Sequence, residues 1–167
     1  MISPAILSRC KLLPHGDEGM DLMLQRTRVQ IANPKDDPLT LRVVEHMRET
    51  DFSKFESVLD VGCYGGFLYH FKKPRGYVGI DIYKPAIEAA KTLAPEADFR
   101  CEDVLNHEGY YDLVWSSQVN WRGTQKQAFD KMMSLGKKHV FIFVQSEGEV
   151  LPREAKSDGV LVCWNDL

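Results

Sequence analysis

The chain has 167 residues, of which 44% are apolar and 27% charged, with a formal net charge of −3. That length is typical of one domain with one core. The weak acidity argues against a general nucleic-acid coat, because phosphate binding leaves a basic footprint. No signal-peptide core or membrane-spanning apolar run is present, so we expect a cytoplasmic protein without membrane attachment.

The cysteines and histidines form no metal-binding pattern. The four cysteines are widely spaced, with no Cys-x-x-Cys pair and no histidine at zinc spacing; they are Cys10, Cys63, Cys101 and Cys163. The five histidines do not cluster either. We predict reduced, mostly buried thiols and no structural metal.

The first fifty residues are predicted to form two helices. An apolar stripe with helical spacing predicts a helix over Asp17–Ile31; its members are Met20, Leu24, Thr27 and Ile31. Asp37 followed by Pro38 is a good helix start, which predicts a second helix over Asp37–Thr50. The expected buried face of this helix consists of Leu39, Val43, Val44 and Met47.

From Ser57 onward, short apolar runs alternate with helical stretches. The predicted strands are Ser57–Val61, Tyr77–Ile82, Ala97–Cys101, Tyr111–Ser116 and His139–Val144. The predicted helices are Phe67–Phe71, Pro85–Ala94 and Thr124–Leu135, and one more strand is expected at Val160–Trp164. This alternation is typical of a parallel sheet with right-handed crossovers. We therefore expect one domain, with a helical cap in residues 1–54, a core in 55–144 and a short tail in 145–167.

A glycine turn follows the first predicted strand, in the stretch Val58–Phe67. Gly62 permits a tight turn, and Gly65 and Gly66 are expected to remove side chains from a surface that faces a ligand. The next helix would point its N-terminal N–H groups at the same place. A purely structural turn is the alternative interpretation.

Acidic residues follow the next two strands. Asp81 ends the second strand, where a carboxylate can accept hydrogen bonds from both hydroxyls of a ribose. The alternative is that it caps the helix that begins near Pro85. Glu102 and Asp103 follow the third strand, where an acidic side chain would reach the same crevice and accept from an adenine amino group.

These segments resemble motifs I to IV of class I S-adenosylmethionine-dependent methyltransferases; the segments are Val58–Phe67, Gly79–Tyr83, Glu102–Asp103 and Tyr111–Ser117. The resemblance implies a Rossmann-like three-layer α/β sandwich with strand order 3-2-1-4-5 plus one C-terminal strand. It also implies S-adenosylmethionine as cofactor, with Asp60 near the amino group, Asp81 on the ribose and Asp103 at the adenine. The implied cofactor-binding residues are Asp60, Gly62, Cys63, Tyr64, Gly65, Gly66, Phe67, Asp81, Ile82, Tyr83, Glu102, Asp103, Val104 and Ser116.

The sequence departs from the family at one turn position, where Tyr64 replaces the usual middle glycine and is expected to cover or narrow the site. A nicotinamide-dependent reductase is a weaker alternative, since Gly-x-Gly-x-x-Gly is absent. The fourth strand lacks Asn/Asp-Pro-Pro-Tyr, which favours a small-molecule acceptor over nucleic acid.

The acceptor side is expected at the end of the fourth strand, lined by Ser116, Ser117, Asn120 and Trp121. No catalytic base is assigned, because methyl transfer from a sulfonium relies on positioning and desolvation. His107 could serve as a base, but we expect a solvated loop histidine instead. We expect Arg26, on the first helix, to be solvated rather than acceptor-binding.

The tail is short for this family, so the C-terminal part of the sheet is expected to be abbreviated. An open sheet edge is usually covered, and we expect self-association or a partner subunit there.

Two functions are compatible with these sequence features. The first is a methyltransferase acting on a small molecule or other exposed acceptor; the alternative is a non-catalytic cofactor-binding or regulatory module of the same fold.

Overall fold

The computed structural model describes residues 17–33, 38–117, 125–146 and 160–166. The helices are α1 (Asp17–Ala32), α2 (Pro38–Glu49), α3 (Phe67–Lys72), α4 (Lys84–Leu93) and α5 (Gln125–Leu135). The strands are β1 (Val58–Val61), β2 (Tyr77–Asp81), β3 (Asp98–Cys101), β4 (Tyr111–Ser117), β5 (Gly136–Ser146) and β6 (Val160–Asp166). Two short 3-10 helices, Phe52–Lys54 and Val104–Asn106, were not predicted from the sequence.

One sheet joins these strands in the order β3-β2-β1-β4-β5-β6. Every pairing is parallel, including that of β6 with β5, which runs from Val140↔Val160 to Ser146↔Asp166. The predicted Rossmann-like architecture and strand order are therefore confirmed. In this arrangement β3 and β6 are the outer strands of the described sheet.

The core lies on both faces of the sheet, because side chains alternate along each strand. One face holds a cluster built on Val58, Trp115 and Phe141, against which α2, α3 and α4 pack. The opposite face carries Leu59 and Val114 among its cluster members, and α5 packs there. Trp115 stacks on Phe141 with ring centroids 3.9 Å apart, and both belong to this core cluster.

The two N-terminal helices lie close to their predicted ranges. In α2 the predicted buried residues Val43, Val44 and Met47 are each 1% exposed, while the side chain of Leu39 is outside the described set. In α1 the deepest apolar residue is Met23, which was not part of the predicted stripe. Helix α1 packs on α4 and α3, so it lies beside the glycine turn that precedes α3.

Strand β5 is longer than the predicted His139–Val144, because it begins at Gly136 directly after α5 and ends at Ser146. Of the cysteines whose side chains are described, Cys63 is buried and Cys101 is exposed on the outer strand β3, and neither forms a disulfide. The side chains of Cys10 and Cys163 lie outside the described set.

The described helices include none that is long and apolar enough to cross a membrane. Within the same residues, no group of three histidine, cysteine or acidic side chains is arranged to hold a metal ion.

Candidate functional site

The strands β1, β2 and β3 all finish at the same end of the sheet, and the predicted acidic residues lie at or near this end. The strands are adjacent and parallel, with Val61 paired to Ile80 and Asp81 paired to Cys101. Their following segments therefore meet at the same crevice, which is where open α/β sheets bind ligands. The structure thus brings the predicted residues after these three strands together.

The glycine turn joins β1 to α3. Gly62 has φ 72°, a left-handed conformation that favours glycine. The N–H groups of Gly62 and Cys63 both donate to the carbonyl of Ile80, at 2.8 and 3.0 Å. Gly66, also left-handed at φ 81°, precedes the first residue of α3, Phe67. The turn is therefore held against the end of β2.

Internal packing requires both Gly65 and Gly66, and their predicted place on a ligand-facing surface stays a prediction. A Cβ on Gly65 would lie 1.9 Å from the hydroxyl oxygen of Thr27, which is a residue of α1. A Cβ on Gly66 would lie 2.6 Å from the ring of Phe99 on β3. Gly65 admits helix α1, and Gly66 admits an aromatic side chain of the core.

Tyr64 has a left-handed backbone conformation, with φ 51°, which favours glycine. A left-handed conformation costs a tyrosine roughly 1–2 kcal/mol, because its Cβ crowds the following carbonyl. The side chain packs at a small cluster between α1 and α4, formed by Met23, Ala86 and Ala89, which Tyr83 also contacts. Tyr64 thus joins the turn to the α1–α4 interface.

The carboxylate of Asp81 holds the turn and the start of the next loop. Oδ2 accepts from the N–H of Tyr64 at 3.0 Å, and Oδ1 accepts from the N–H of Tyr83 at 2.8 Å. Burial raises the pKa of Asp81, and backbone hydrogen bonds from Tyr83, Tyr64 and Ile82 oppose this. Two carboxylate oxygens have about four acceptor positions, so the group retains capacity for a ligand.

Asp60 is buried on the α2–α4 face of the sheet, 3% exposed. Its Oδ2 accepts a hydrogen bond of 2.8 Å from the hydroxyl of Tyr77. Burial is the main cause that raises the pKa of Asp60 to about 7, with a smaller contribution from Asp81, while the Tyr77 hydrogen bond lowers it. The sequence did not single out Tyr77, because a tyrosine in a strand is usually a core residue.

The two acidic residues that follow β3 make different contacts. Asp103 is exposed and caps the 3-10 helix by accepting from the N–H of Leu105 at 2.9 Å. Glu102 lies with one carboxylate oxygen 3.0 Å from Nδ1 of His107, near enough to pair with a protonated imidazole. Val104 is 3% exposed and its side chain belongs to the α5-side core.

His107 is buried, so the expectation of a solvated loop histidine was wrong. It is 1% exposed, and its Nε2 lies 2.9 Å from the hydroxyl of Tyr111, on which its ring also stacks. Its position in a loop gives no periodic pattern from which burial could be read. Arg26 is half-buried, so it is not simply solvated. Burial raises the pKa of Tyr83, and the positive charge of Arg26 opposes this rise.

Two of the predicted acceptor-side residues, Ser116 and Ser117, lie at the end of β4. Ser116 is fully buried, and its hydroxyl has no hydrogen-bond partner among the described residues. Ser117 is the half-buried last residue of the strand. Asn120 and Trp121 lie outside the described residues.

Comparisons with known proteins agree with this fold. Residues 59–144 match the family model described as a methyltransferase domain. A Thermoplasma acidophilum protein of known structure shares 18% identity and a TM-score of 0.51, over 71% of this chain and 67% of that chain. The N-methyltransferase NodS from Bradyrhizobium japonicum, solved with S-adenosyl-L-homocysteine, shares 17% identity and a TM-score of 0.51, over 70% of this chain and 69% of that chain. At these identities, the structural matches show the fold alone. No curated protein sequence matches the chain.

Proposed function

The chain belongs to the methyltransferase-domain family, and on that premise we propose that it transfers a methyl group from S-adenosylmethionine to a small molecule or another exposed acceptor. Membership in this family bears out the predicted cofactor. The observation that carries the proposal is the contact between Asp81 and the glycine turn, because it unites the predicted ribose and methionine sites.

The residues at the crevice suit this cofactor. Asp60 is a buried carboxylate, and none of the ion pairs of the described residues includes it, so an ammonium group would complement it. Ile82, next to Asp81, is 73% exposed and offers an apolar surface to a flat base. Asp81 keeps about one acceptor position for a ribose hydroxyl. Asp103 is exposed, two residues after Cys101, whose thiol contacts the carbonyl of Ile82.

When bound, the cofactor supplies a methyl group activated by the positive charge of its sulfonium. The protein then has to orient the acceptor in line and exclude water, which requires no dedicated base. Ser117 at the end of β4 is the described residue that we assign to the acceptor side, together with the predicted Asn120 and Trp121.

The test is calorimetric titration of the protein with S-adenosylmethionine and S-adenosylhomocysteine, using wild type and two substitutions. Asp81→Asn keeps the size of the side chain and removes its charge, and we expect it to weaken binding at least tenfold. Glu108→Gln changes an exposed acid on the loop before β4 and serves as the matched control. We expect its affinity to equal that of wild type.

Binding followed by methyl transfer to candidate acceptors would support the enzyme. Binding without transfer to any of a broad panel of amines, hydroxyls and thiols would favour the alternative, a non-catalytic cofactor-binding module. The proposed function is wrong if neither ligand binds although cooperative thermal unfolding shows that the protein is folded.

A further inference from the structure

His107 is one of two buried residues in the segment 102–110, which joins β3 to β4. The other is Val104, and the two are 1% and 3% exposed. Val104 packs in the α5-side core, which is an ordinary position for an apolar side chain. A buried histidine is different, because its ring nitrogens need polar partners and an unpaired buried polar group is costly. The partners of His107 therefore show what its burial stabilises.

The imidazole of His107 lies between the start of β4 and the acid that follows β3. Its Nε2 is 2.9 Å from the hydroxyl oxygen of Tyr111, and the two rings stack with centroids 5.7 Å apart. Gly109 stands between them in the chain and has φ 123°, a conformation that favours glycine. On the other side of the ring, Nδ1 lies 3.0 Å from Oε1 of Glu102. His107 thereby connects the two ends of the segment.

The backbone of His107 closes the turn that carries Asp103. The N–H of His107 donates to the carbonyl of Val104 at 3.1 Å, and the N–H of Asn106 donates to the carbonyl of Asp103 at 3.0 Å. Oδ1 of Asp103 accepts from the N–H of Leu105 at 2.9 Å. A carboxylate has about four acceptor positions, so Asp103 retains capacity for a donor from a ligand. The direction of this carboxylate thus depends on a short turn that the His107 ring anchors.

We propose that His107 is a positioning residue for base selectivity, which holds the Asp103 turn in place through its contact with Tyr111. The inference rests on the proposed function, with Asp103 at the adenine as the sequence resemblance implies. His107 itself does not touch the ligand; its buried ring keeps the turn from moving away from the sheet. A fixed carboxylate selects an amino group over a carbonyl oxygen at the same position of the base, because a carboxylate only accepts hydrogen bonds.

Tyr111 lies too far from the crevice to contact the base itself. It is the first residue of β4, and Ser117 at the carboxyl end of the same strand is about 20 Å further along. A change of base selectivity in a Tyr111 variant must therefore be transmitted through the segment that His107 anchors. This separation makes the Tyr111 hydroxyl the cleanest place to test the proposal.

The experiment measures the dissociation constants of S-adenosylhomocysteine and of its inosine analogue, which has a carbonyl oxygen in place of the amino group of the base. Wild type should prefer the adenine form by about tenfold or more, since the inosine form leaves Asp103 without its donor. Tyr111→Phe keeps the ring and removes the hydroxyl, so this preference should fall by about threefold. Tyr110→Phe is the matched control, because Tyr110 is the neighbouring tyrosine and is 69% exposed. Its preference should equal that of wild type.

Substitutions at His107 test the same contact from the other side. His107→Gln places an amide near the position of Nε2 and should retain most of the preference, whereas His107→Leu should lose it. In the His107→Leu background, Tyr111→Phe should change the preference no further, because the contact is already absent. A histidine that only fills space would weaken binding of both ligands by the same factor and leave their ratio unchanged. Tyr111→Phe carries the comparison if His107→Leu does not fold.

Two results overturn the inference and leave the proposed function intact, provided that S-adenosylhomocysteine binds. One is a wild-type preference near one, and the other is an equal preference in Tyr111→Phe and Tyr110→Phe. If neither form binds folded wild type, the proposed function fails, and the inference fails with it.

Discussion

The side chain of Asp81 accepts a hydrogen bond from the backbone N–H of Tyr64, with Oδ2 3.0 Å from the nitrogen. The residue predicted to hold the ribose therefore also holds the glycine turn. A loss of ligand binding in Asp81→Ala would by itself not distinguish these two roles. Stability of the unliganded protein separates them.

We expect Asp81→Ala to lower the free energy of unfolding of the ligand-free protein by about 1–3 kcal/mol, because buried backbone donors lose their acceptor. Asp103→Ala is the matched control, since that acid is exposed and caps only a 3-10 helix. Urea denaturation measures both. Equal stability of Asp81→Ala and wild type would show that the Tyr64 hydrogen bond does not hold the turn.

Substitutions at Tyr64 should separate backbone strain from packing. Tyr64→Gly and Tyr64→Ala both lose the contacts with the α1–α4 cluster. Only glycine adopts φ 51° without strain, so Tyr64→Gly should be more stable than Tyr64→Ala by about 1 kcal/mol. Urea denaturation of the pair gives the difference. If alanine were the more stable of the two, the left-handed conformation of this residue would be contradicted.

The contact between Gly65 and Thr27 predicts strong energetic coupling. Gly65→Ala should destabilise the protein by about 1–3 kcal/mol, because its Cβ would overlap the Thr27 side chain. Thr27→Gly removes every atom of that overlap, so the double variant should recover part of the loss. A double-mutant cycle measures the coupling. If the two changes in unfolding free energy were purely additive, the contact between Thr27 and Gly65 would be contradicted.

Asp60 should make the ligand-free protein less stable as pH rises. Its pKa in the folded protein is raised to about 7 from 3.8, so between these values the folded state binds more protons than the unfolded state. The free energy of unfolding then falls with increasing pH across this window. Asp60→Asn lacks this titration, so relative to wild type it should be more stable at pH 8 than at pH 4.5. Denaturation at several pH values tests this, and a constant difference would refute it.

The sequence alone determined the order and type of the main elements, since periodicity and glycine or proline boundaries are local signals. It also determined that acidic residues such as Asp60, Asp81 and Asp103 share one edge, because parallel strands end on the same side of a sheet. Only the tertiary structure decided which neighbours they contact. The hydrogen bond from Tyr77 to Asp60 and the packing of Thr27 on Gly65 join residues that are distant in the chain. The burial of His107 depends on how its loop packs on the rest of the chain. Such contacts depend on side-chain direction and on the space left by glycines, which no local pattern encodes.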